Sequence, residues 1–361
     1  MVDTDKKKVW VAMSGGVDSS VTAWLLQKKG YDVTGAFIET WQPDFIECTA
    51  RDDRRDAMRV ASELGIELKV VDCRQEYKKN VVDYMVEEYR RGRVPNPDVM
   101  CNSYVKFGAF FERAMYEGAG MVATGHYVQN NENEKKEFFL SRGVDREKDQ
   151  SYFLWNIPSK ILPSLLFPVG GFNKNEIRQI AKEAGLSNAG KKDSQGICFL
   201  GKTDLKKFLS HYIKPKTGDV LDESGELIGK HQGVWFYTIG ERRGFEVSKK
   251  TPSSGPFYIL DKDLENNTLT VTENKKNLSL SQKVSASNCN WFLPIEEGCE
   301  YDLQVRYRER TYRAVLAEKN TENFIFEFTT ERPQLVPGQS LVVYDREVCV
   351  GGGVIDNKLP L

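Results

Sequence analysis

The chain has 361 residues, enough for two or three domains with cores of their own, and its 40% apolar and 29% charged content is that of an ordinary globular protein. No apolar run is long enough to cross a bilayer, and the start "MVDTDKKKVW" resembles neither a signal nor a transit peptide, so a cytoplasmic protein away from membranes is expected. A formal charge of −1 excludes a globally basic nucleic-acid binder, so any RNA affinity must come from local patches.

Lys8–Met13 reads as a first strand, and "SGGVDSS" leads from it into a helix over Asp18–Lys29 that Gly30 stops. Val33–Ile38 is a second strand, Asp53–Leu64 a helix and Leu68–Val71 a third strand. Helices are predicted over Tyr77–Arg91 and Ser103–Tyr116, on either side of the breaker-rich "RGRVPNPDVMC". Met121–Tyr127 is a short buried strand, and Asn173–Ala184 and Asp204–Tyr212 are helical. This alternation implies an α/β fold, a parallel sheet covered on both faces. From about Thr217 the period becomes alternating and turn-rich, which reads as all-β. The expected division is a nucleotide-binding catalytic domain over 1–212, a small central β domain over 213–277 and a β-barrel-like domain over 278–361. Deleting Leu278–Leu361 is expected to weaken RNA binding and spare nucleotide binding.

In "SGGVDSS" the small residues Ser14, Gly15 and Gly16 let backbone amides converge on an anion, and the helix that follows points its positive end at it. Ser19 and Ser20 add hydroxyl donors. A glycine pair alone is equally a tight strand-to-helix turn; the full string in the first strand–helix turn favours a phosphate cradle. The lysine of GxxxxGK[ST] is absent. Asp18 reads either as a helix N-cap or as a ligand for Mg²⁺.

The seven cysteines contain no CxxC pair, which argues against a zinc ribbon or a structural disulfide framework. Cys101 follows "NPDVM", placing it at the N-terminus of the next helix, where the dipole favours a thiolate. Asp98, three residues earlier, can exchange a proton with it. Cys198 lies in "KKDSQGICFLG", behind Lys191 and Lys192, which would stabilise a thiolate or persulfide. Either cysteine alone reads equally as an inert buried residue. Beside a nucleotide loop, the two suggest that one sulfur delivers and the other resolves. Cys73 and Cys349 read as packing, and the role of Cys48 stays open. In "VRYRERTYR" a strand period puts Arg306, Arg308 and Arg310 on one face, either a phosphate-binding stripe or a solvated surface.

Together "AMSGGVDSS", "NPDVMCNSYVKFG", "ATGHY", "KDQSYFL", "SQGICFLG", "YTIGERRG", "VRYR" and "PGQS" resemble the bacterial tRNA-specific 2-thiouridylases, members of the PP-loop ATP pyrophosphatase superfamily with an adenine nucleotide alpha hydrolase-like domain. The resemblance implies 2-thiolation of the wobble uridine of tRNA, with ATP adenylating the uracil C2 oxygen and a cysteine persulfide supplying sulfur. It implies that Ala12, Met13, Ser14, Gly15, Gly16, Val17, Asp18, Ser19, Ile38 and Gly125 bind ATP. Asn96, Pro97 and Asp98 would contact the target base, with Cys101 the nucleophile and Cys198 the persulfide carrier. His126, Lys148, Asp149, Gln150, Arg306, Tyr307 and Gln339 would touch tRNA, although "KDQS" also reads as a helix start capped by Asp149. Cys101 releases the sulfur either as hydrosulfide or by attacking the persulfide, leaving a Cys101–Cys198 disulfide. The implied partners are tRNA and a persulfide donor, either a cysteine desulfurase or a sulfur-relay protein, and a monomer is expected. Another PP-loop adenylating synthetase, needing no catalytic cysteine, is the alternative.

Overall fold

The computed structural model describes residues 7–46, 50–193, 204–248, 255–275, 281–321 and 323–356. In chain order its first region runs β1 (Lys8–Ala12), α1 (Val17–Lys28), β2 (Asp32–Glu39), α2 (Ala50–Leu64) and β3 (Leu68–Asp72). Arg74–Tyr77, Lys78–Asp83 and Tyr84–Arg90 then form one continuous helix, α3, with a π-helical middle. Pro97–Met100, Cys101–Ala109 and Phe110–Tyr116 form another of the same kind, α4. Next come β4 (Met121–Ala123), a hairpin of β5 (Val128–Glu132) and β6 (Phe138–Arg142), β7 (Leu165–Leu166), α5 (Lys174–Glu183) and α6 (Leu205–Ser210).

Five of these strands form a parallel sheet in the order β3-β2-β1-β4-β7. The alternation in "KVWVA" shows why β1 lies at its centre. Val9 and Val11 enter one core with Val21 and Leu26 of α1 and Ile177 of α5, while Trp10 enters the opposite core with Val82 of α3 and Phe110 of α4. The order of strands reverses between β1 and β4, so a crevice opens beyond their carboxyl ends.

The second region holds β8 (Gly218–Leu221), β9 (Leu227–His231), β10 (Glu246–Val247), β11 (Tyr258–Asp263) and β12 (Thr268–Thr272), paired as β10-β9-β8-β12-β11. The third holds β13 (Lys283–Trp291), β14 (Glu300–Gln304), β15 (Tyr312–Lys319), β16 (Asn323–Phe328), β17 (Ser340–Asp345) and β18 (Val348–Ile355). These strands run β13-β16-β15-β14-β17-β18 and close through antiparallel pairing of β13 with β18, a barrel.

The barrel is not an appendage. β6 hydrogen-bonds to β18, pairing Ser141 with Val348 and Leu140 with Cys349, so the 128–142 hairpin extends the barrel's sheet from inside the first region. Val342, Tyr344, Cys349 and Val354 share one apolar core with α3, α4 and Trp155. Removal of residues 278–361 would strip one wall from the first region's core, which tells against the expectation that their deletion leaves nucleotide binding largely intact.

Candidate active site

The "SGGVDSS" turn, the expected phosphate loop, sits at the crevice between β1 and β4. Gly15 has φ +73°, and a Cβ there would come within 2.4 Å of the Asp53 carbonyl oxygen, so glycine is required. Gly16, not Asp18, is the N-cap of α1, which corrects the capping alternative for Asp18. Asp18 lies in the first turn, and its carboxylate accepts from Lys174 Nζ at 2.7 and 2.8 Å and from the Tyr127 hydroxyl at 2.8 Å. Ser19 Oγ accepts from the Ser14 amide (3.2 Å) and donates to the Gly16 carbonyl (3.1 Å). Ser20 is fully buried, donates to the same carbonyl at 2.9 Å and receives the Asn188 carboxamide at 2.9 Å. It braces the loop and is not the ligand donor expected from its place in the string.

Ala12, Met13 and Val17 flank the turn, with Met13 and Val17 buried in the core beneath it. Ile38, half-buried, is the penultimate residue of the neighbouring β2. Gly125 follows β4, and a Cβ there would lie 2.8 Å from the Asp18 carbonyl carbon and the Ser19 nitrogen. Only a glycine lets β4 end so close to the start of α1.

α4 begins earlier than expected. Asn96 is its N-cap, accepting from the Val99 amide at 3.4 Å, and Pro97 opens the first turn, where a missing N–H costs nothing. Pro95 precedes the cap but Pro97 starts the helix, so Cys101 lies beyond the first turn, buried, and the dipole argument for its thiolate is lost. What remains is Asp98, which helical spacing puts on the same face as Cys101. Burial pushes the Asp98 carboxyl above its usual range, partly offset by Lys106, as suits a proton carrier. Cys101 also opens the π-helical stretch of α4, a distortion frequent at functional sites. Cys198 and Cys48 lie outside the described residues. Burial pushes Cys73 and Cys349 up to about 12, in keeping with packing roles.

The "VRYRER" strand stripe is also corrected. β14 ends at Gln304, Arg306–Glu309 form a turn closed by the Glu309 amide on the Arg306 carbonyl at 3.2 Å, and Arg308 has φ +61°. Arg308 and Arg310, but not Arg306, line a cavity of about 520 Å³ together with Arg142, Arg146 and Arg346 from other elements, among acidic side chains. Tyr307 packs on Phe153 at 4.4 Å between ring centres. Tyr152, beside Phe153, donates to the Ser340 carbonyl at 3.1 Å and bonds the Asn96 side chain. Gln339 donates to the carbonyls of Val94 (2.8 Å) and Pro95 (3.2 Å). The structure thus gathers "NPDVMC", "KDQSYF", "VRYR" and "PGQS" around one junction between α4 and the barrel.

Residues 7–202 match a family model described as a tRNA methyl transferase HUP domain, 206–273 one described as a tRNA methyl transferase PRC-barrel domain, and 281–355 an aminomethyltransferase beta-barrel domain. The tRNA-specific 2-thiouridylase MnmA of Idiomarina loihiensis is 42% identical over 360 residues, 98% of this chain and 97% of that protein. Its namesake from Serratia proteamaculans is 41% identical over 366 residues, 99% of this chain and 100% of that one. The chain belongs to the tRNA-specific 2-thiouridylase family. Similarity from end to end decides for the thiolation named by these relatives over the methyl transfer named by the domain descriptions. A solved 4-thiouridine synthetase–RNA complex with bound ATP is 25% identical, covering 58% of this chain and 51% of that one at TM-score 0.35.

For a thiouridylase, the remaining residues fall into two groups. Lys148 faces the phosphate loop's surroundings, bonded to Asp193 at 2.6 Å. His126, Asp149 and Gln150 point inward. His126 is buried with Nδ1 2.7 Å from Thr124 Oγ1, and burial, aided by Lys106, holds its pKa far below the usual value, so it is neutral. Asp149 accepts from the Gly143 and Ser151 amides, the Ser151 hydroxyl and Arg142. Gln150 accepts from the Tyr127 amide at 3.0 Å. Lys191 is tied to Asp53 and Asp56 at 2.8 Å each, and Lys192 is exposed; the cysteine they are expected to serve, Cys198, lies outside the described residues. Sequence reasoning missed Lys174, Asn188 and Asp193. Lys174 carries no local signal, whereas Asp193 sits in the quoted "KKDSQ" next to the cysteine that drew attention.

Proposed function

We propose that this thiouridylase activates the wobble uridine of tRNA at its C2 oxygen and replaces that oxygen with sulfur at the junction between the phosphate loop and α4. The observation that carries the reading is the placing of the SGG loop at the β1–β4 crevice, with Gly125 left bare beside α1. The loop amides and the start of α1 hold the β- and γ-phosphates of ATP, leaving the α-phosphorus open to attack by the uracil oxygen. Pyrophosphate leaves, and the adenylated oxygen becomes a leaving group. Asn96, Pro97 and Asp98 hold the extruded base, and Asp98, with its raised pKa, carries a proton for Cys101. Cys198 brings the sulfur as a persulfide from a desulfurase or relay protein. Attack on C2 expels AMP, and Cys101 resolves the transfer.

Mg²⁺ fits the oxygen donors present. Among the described residues no three acidic, histidine or cysteine groups cluster, yet Asp18 and Asp193 lie on one ammonium group, and one or two carboxylates with substrate phosphates are the usual Mg²⁺ set in nucleotide sites. Lys174 occupies the space between the two carboxylates, so the ion would be held chiefly by the phosphates, beside them, and would neutralise phosphate charge. The arginine-lined cavity and Gln339 support a role for the barrel in holding tRNA, in a chain working as a monomer with units over 1–212, 213–277 and 278–361. Among the described residues no helix is long and apolar enough to cross a membrane.

Nucleoside analysis of tRNA incubated with the full chain, ATP, Mg²⁺ and a sulfur source tests the reading. The expected product is 2-thiouridine, lost separately in Cys101→Ser and Cys198→Ser while pyrophosphate release dependent on tRNA persists. Full thiolation in either variant would sink the two-cysteine scheme and favour another adenylating chemistry. A Cys101–Cys198 disulfide should appear after one turnover without reductant, because expelling hydrosulfide from the Cys198 persulfide and displacing the C2-bound sulfur from Cys198 both leave that bond.

A further inference from the structure

The loop lacks the lysine that commonly accompanies phosphate-binding turns, yet an ammonium group lies against it all the same. Lys174 is the first residue of α5, fixed there by the Asn173–Glu176 capping box and by its own amide, which donates to Asp145 at 2.9 Å. Lys174 is 8% exposed, a rare degree of burial for lysine unless its charge is matched. Nζ donates to both oxygens of Asp18 and lies 2.8 Å from Asp193. Asp18 stands in the first turn of α1, and Asp193 is also held by Lys148 and Arg178. Burial would raise the Asp193 carboxyl, but these partners hold it at about 2, so it carries full charge at neutral pH.

Two carboxylates beside a cradle for a highly charged anion oppose the function of that cradle. With Lys174, Lys148 and Arg178 the group is net positive by one; without Lys174 it is neutral, and among the described residues Asp18 is left with the Tyr127 hydroxyl. We propose that Lys174 is a positioning residue of the nucleotide site, a resident cation that bridges Asp18 and Asp193 where a divalent ion would otherwise be needed to make the loop receptive to triphosphate. It supplies from α5 the positive charge that the loop's own sequence omits, and it fixes Asp18 so that the start of α1 keeps its alignment. The inference rests on ATP occupying the Ser14–Ser19 loop.

The test is ATP affinity of the full chain, by calorimetry, across a Mg²⁺ titration. Lys174→Met should weaken ATP binding at low Mg²⁺ by about tenfold or more, the scale of one lost charge-assisted contact. The deficit should shrink as Mg²⁺ rises and takes over between the carboxylates. Lys174→Arg should restore most of the affinity, because it returns the charge. Asp193→Asn should move the other way, binding ATP more tightly than the wild type at low Mg²⁺. A purely structural lysine predicts instead that Lys174→Met and Asp193→Asn both weaken ATP binding, with no dependence on Mg²⁺, and that result overturns the proposal. So does Lys174→Met with wild-type affinity at every Mg²⁺ concentration. If Lys174→Met does not fold, the sign of the Asp193→Asn effect still decides. Absence of ATP binding in the wild type would defeat the loop assignment itself, a different outcome.

Discussion

Gly125→Ala probes the site at its tightest point. The added methyl carbon would sit 2.8 Å from both the Asp18 carbonyl carbon and the Ser19 nitrogen, and 3.1 Å from Asp18 Cβ. Carbon atoms attract from ~3.5 Å outward, so β4 and the first turn of α1 must part by about 0.7 Å. Neither side yields freely: β4 is pinned between β1 and β7, and α1 is locked by the Ser19, Ser20 and Asn188 bonds. Overpacking of this kind costs roughly 1–3 kcal/mol, and a loop moved that far stretches its phosphate bonds beyond good geometry. The expected result is ATP binding weakened by about ten- to a hundredfold in calorimetry, with secondary structure unchanged. Gly171→Ala, where nothing lies within 4 Å of the added carbon, is the control and should bind normally. Gly125→Ala with ATP affinity within about threefold of the wild type would refute the claim that this contact holds the cradle in shape.

Arg308→Asn should raise stability by about 0.5–1 kcal/mol, since asparagine tolerates φ +61° better than arginine, while lowering the salt slope of tRNA binding by about one; melting curves and binding from low to moderate salt measure the two. Burial depresses Lys262 to about 8 against Glu241 and Asp261, although its Nζ donates to the Gly92 and Tyr237 carbonyls. The unfolded chain then binds the extra proton between about pH 8 and 10.5, so wild-type stability should rise with pH across that window by up to ~3 kcal/mol. Lys262→Met should lack the rise in urea titrations at pH 7.5 and 10.5. A chain ending before residue 281 should fail to give a cooperative melt or to bind ATP, because the core shared by Trp155 and Tyr344 is cut; normal ATP binding by that fragment would show that the first region stands alone.

Local patterns were the legible part. Alternation in "KVWVA", the helical period after "SGGVDSS" and the glycine stops at Gly30 and Gly65 place the first parallel strands and helices, because each depends on neighbours a few residues away. Within the breaker-rich "RGRVPNPDVMC", Pro97 opens a helix, because proline breaks a helix interior but suits its first turn, and only the Asn96 cap distinguishes the two. "VRYRER" alternates as a strand would, yet the chain turns there, with Arg308 left-handed. The hairpin at 128–142 gave little signal: "VQNNE" has scant apolar alternation, and the partner that makes β6 part of a sheet lies some 200 residues onward. The Asp18–Lys174 pair was invisible for the same reason, since nothing in either local pattern names the other.

The pairing of Ser141 with Val348 also has a consequence in time. At translation rates of about 5–20 residues per second, roughly 10–40 seconds pass between synthesis of β6 and of the strand that covers its edge. During that interval "FFLSR" presents unpaired backbone beside apolar side chains, an invitation to intermolecular pairing. The polar "NNENEKKE" tip, with its charged side chains, then has a use of its own as a guard on a nascent edge. Expression yield should therefore respond to charge at this tip more strongly than the stability of the finished protein does.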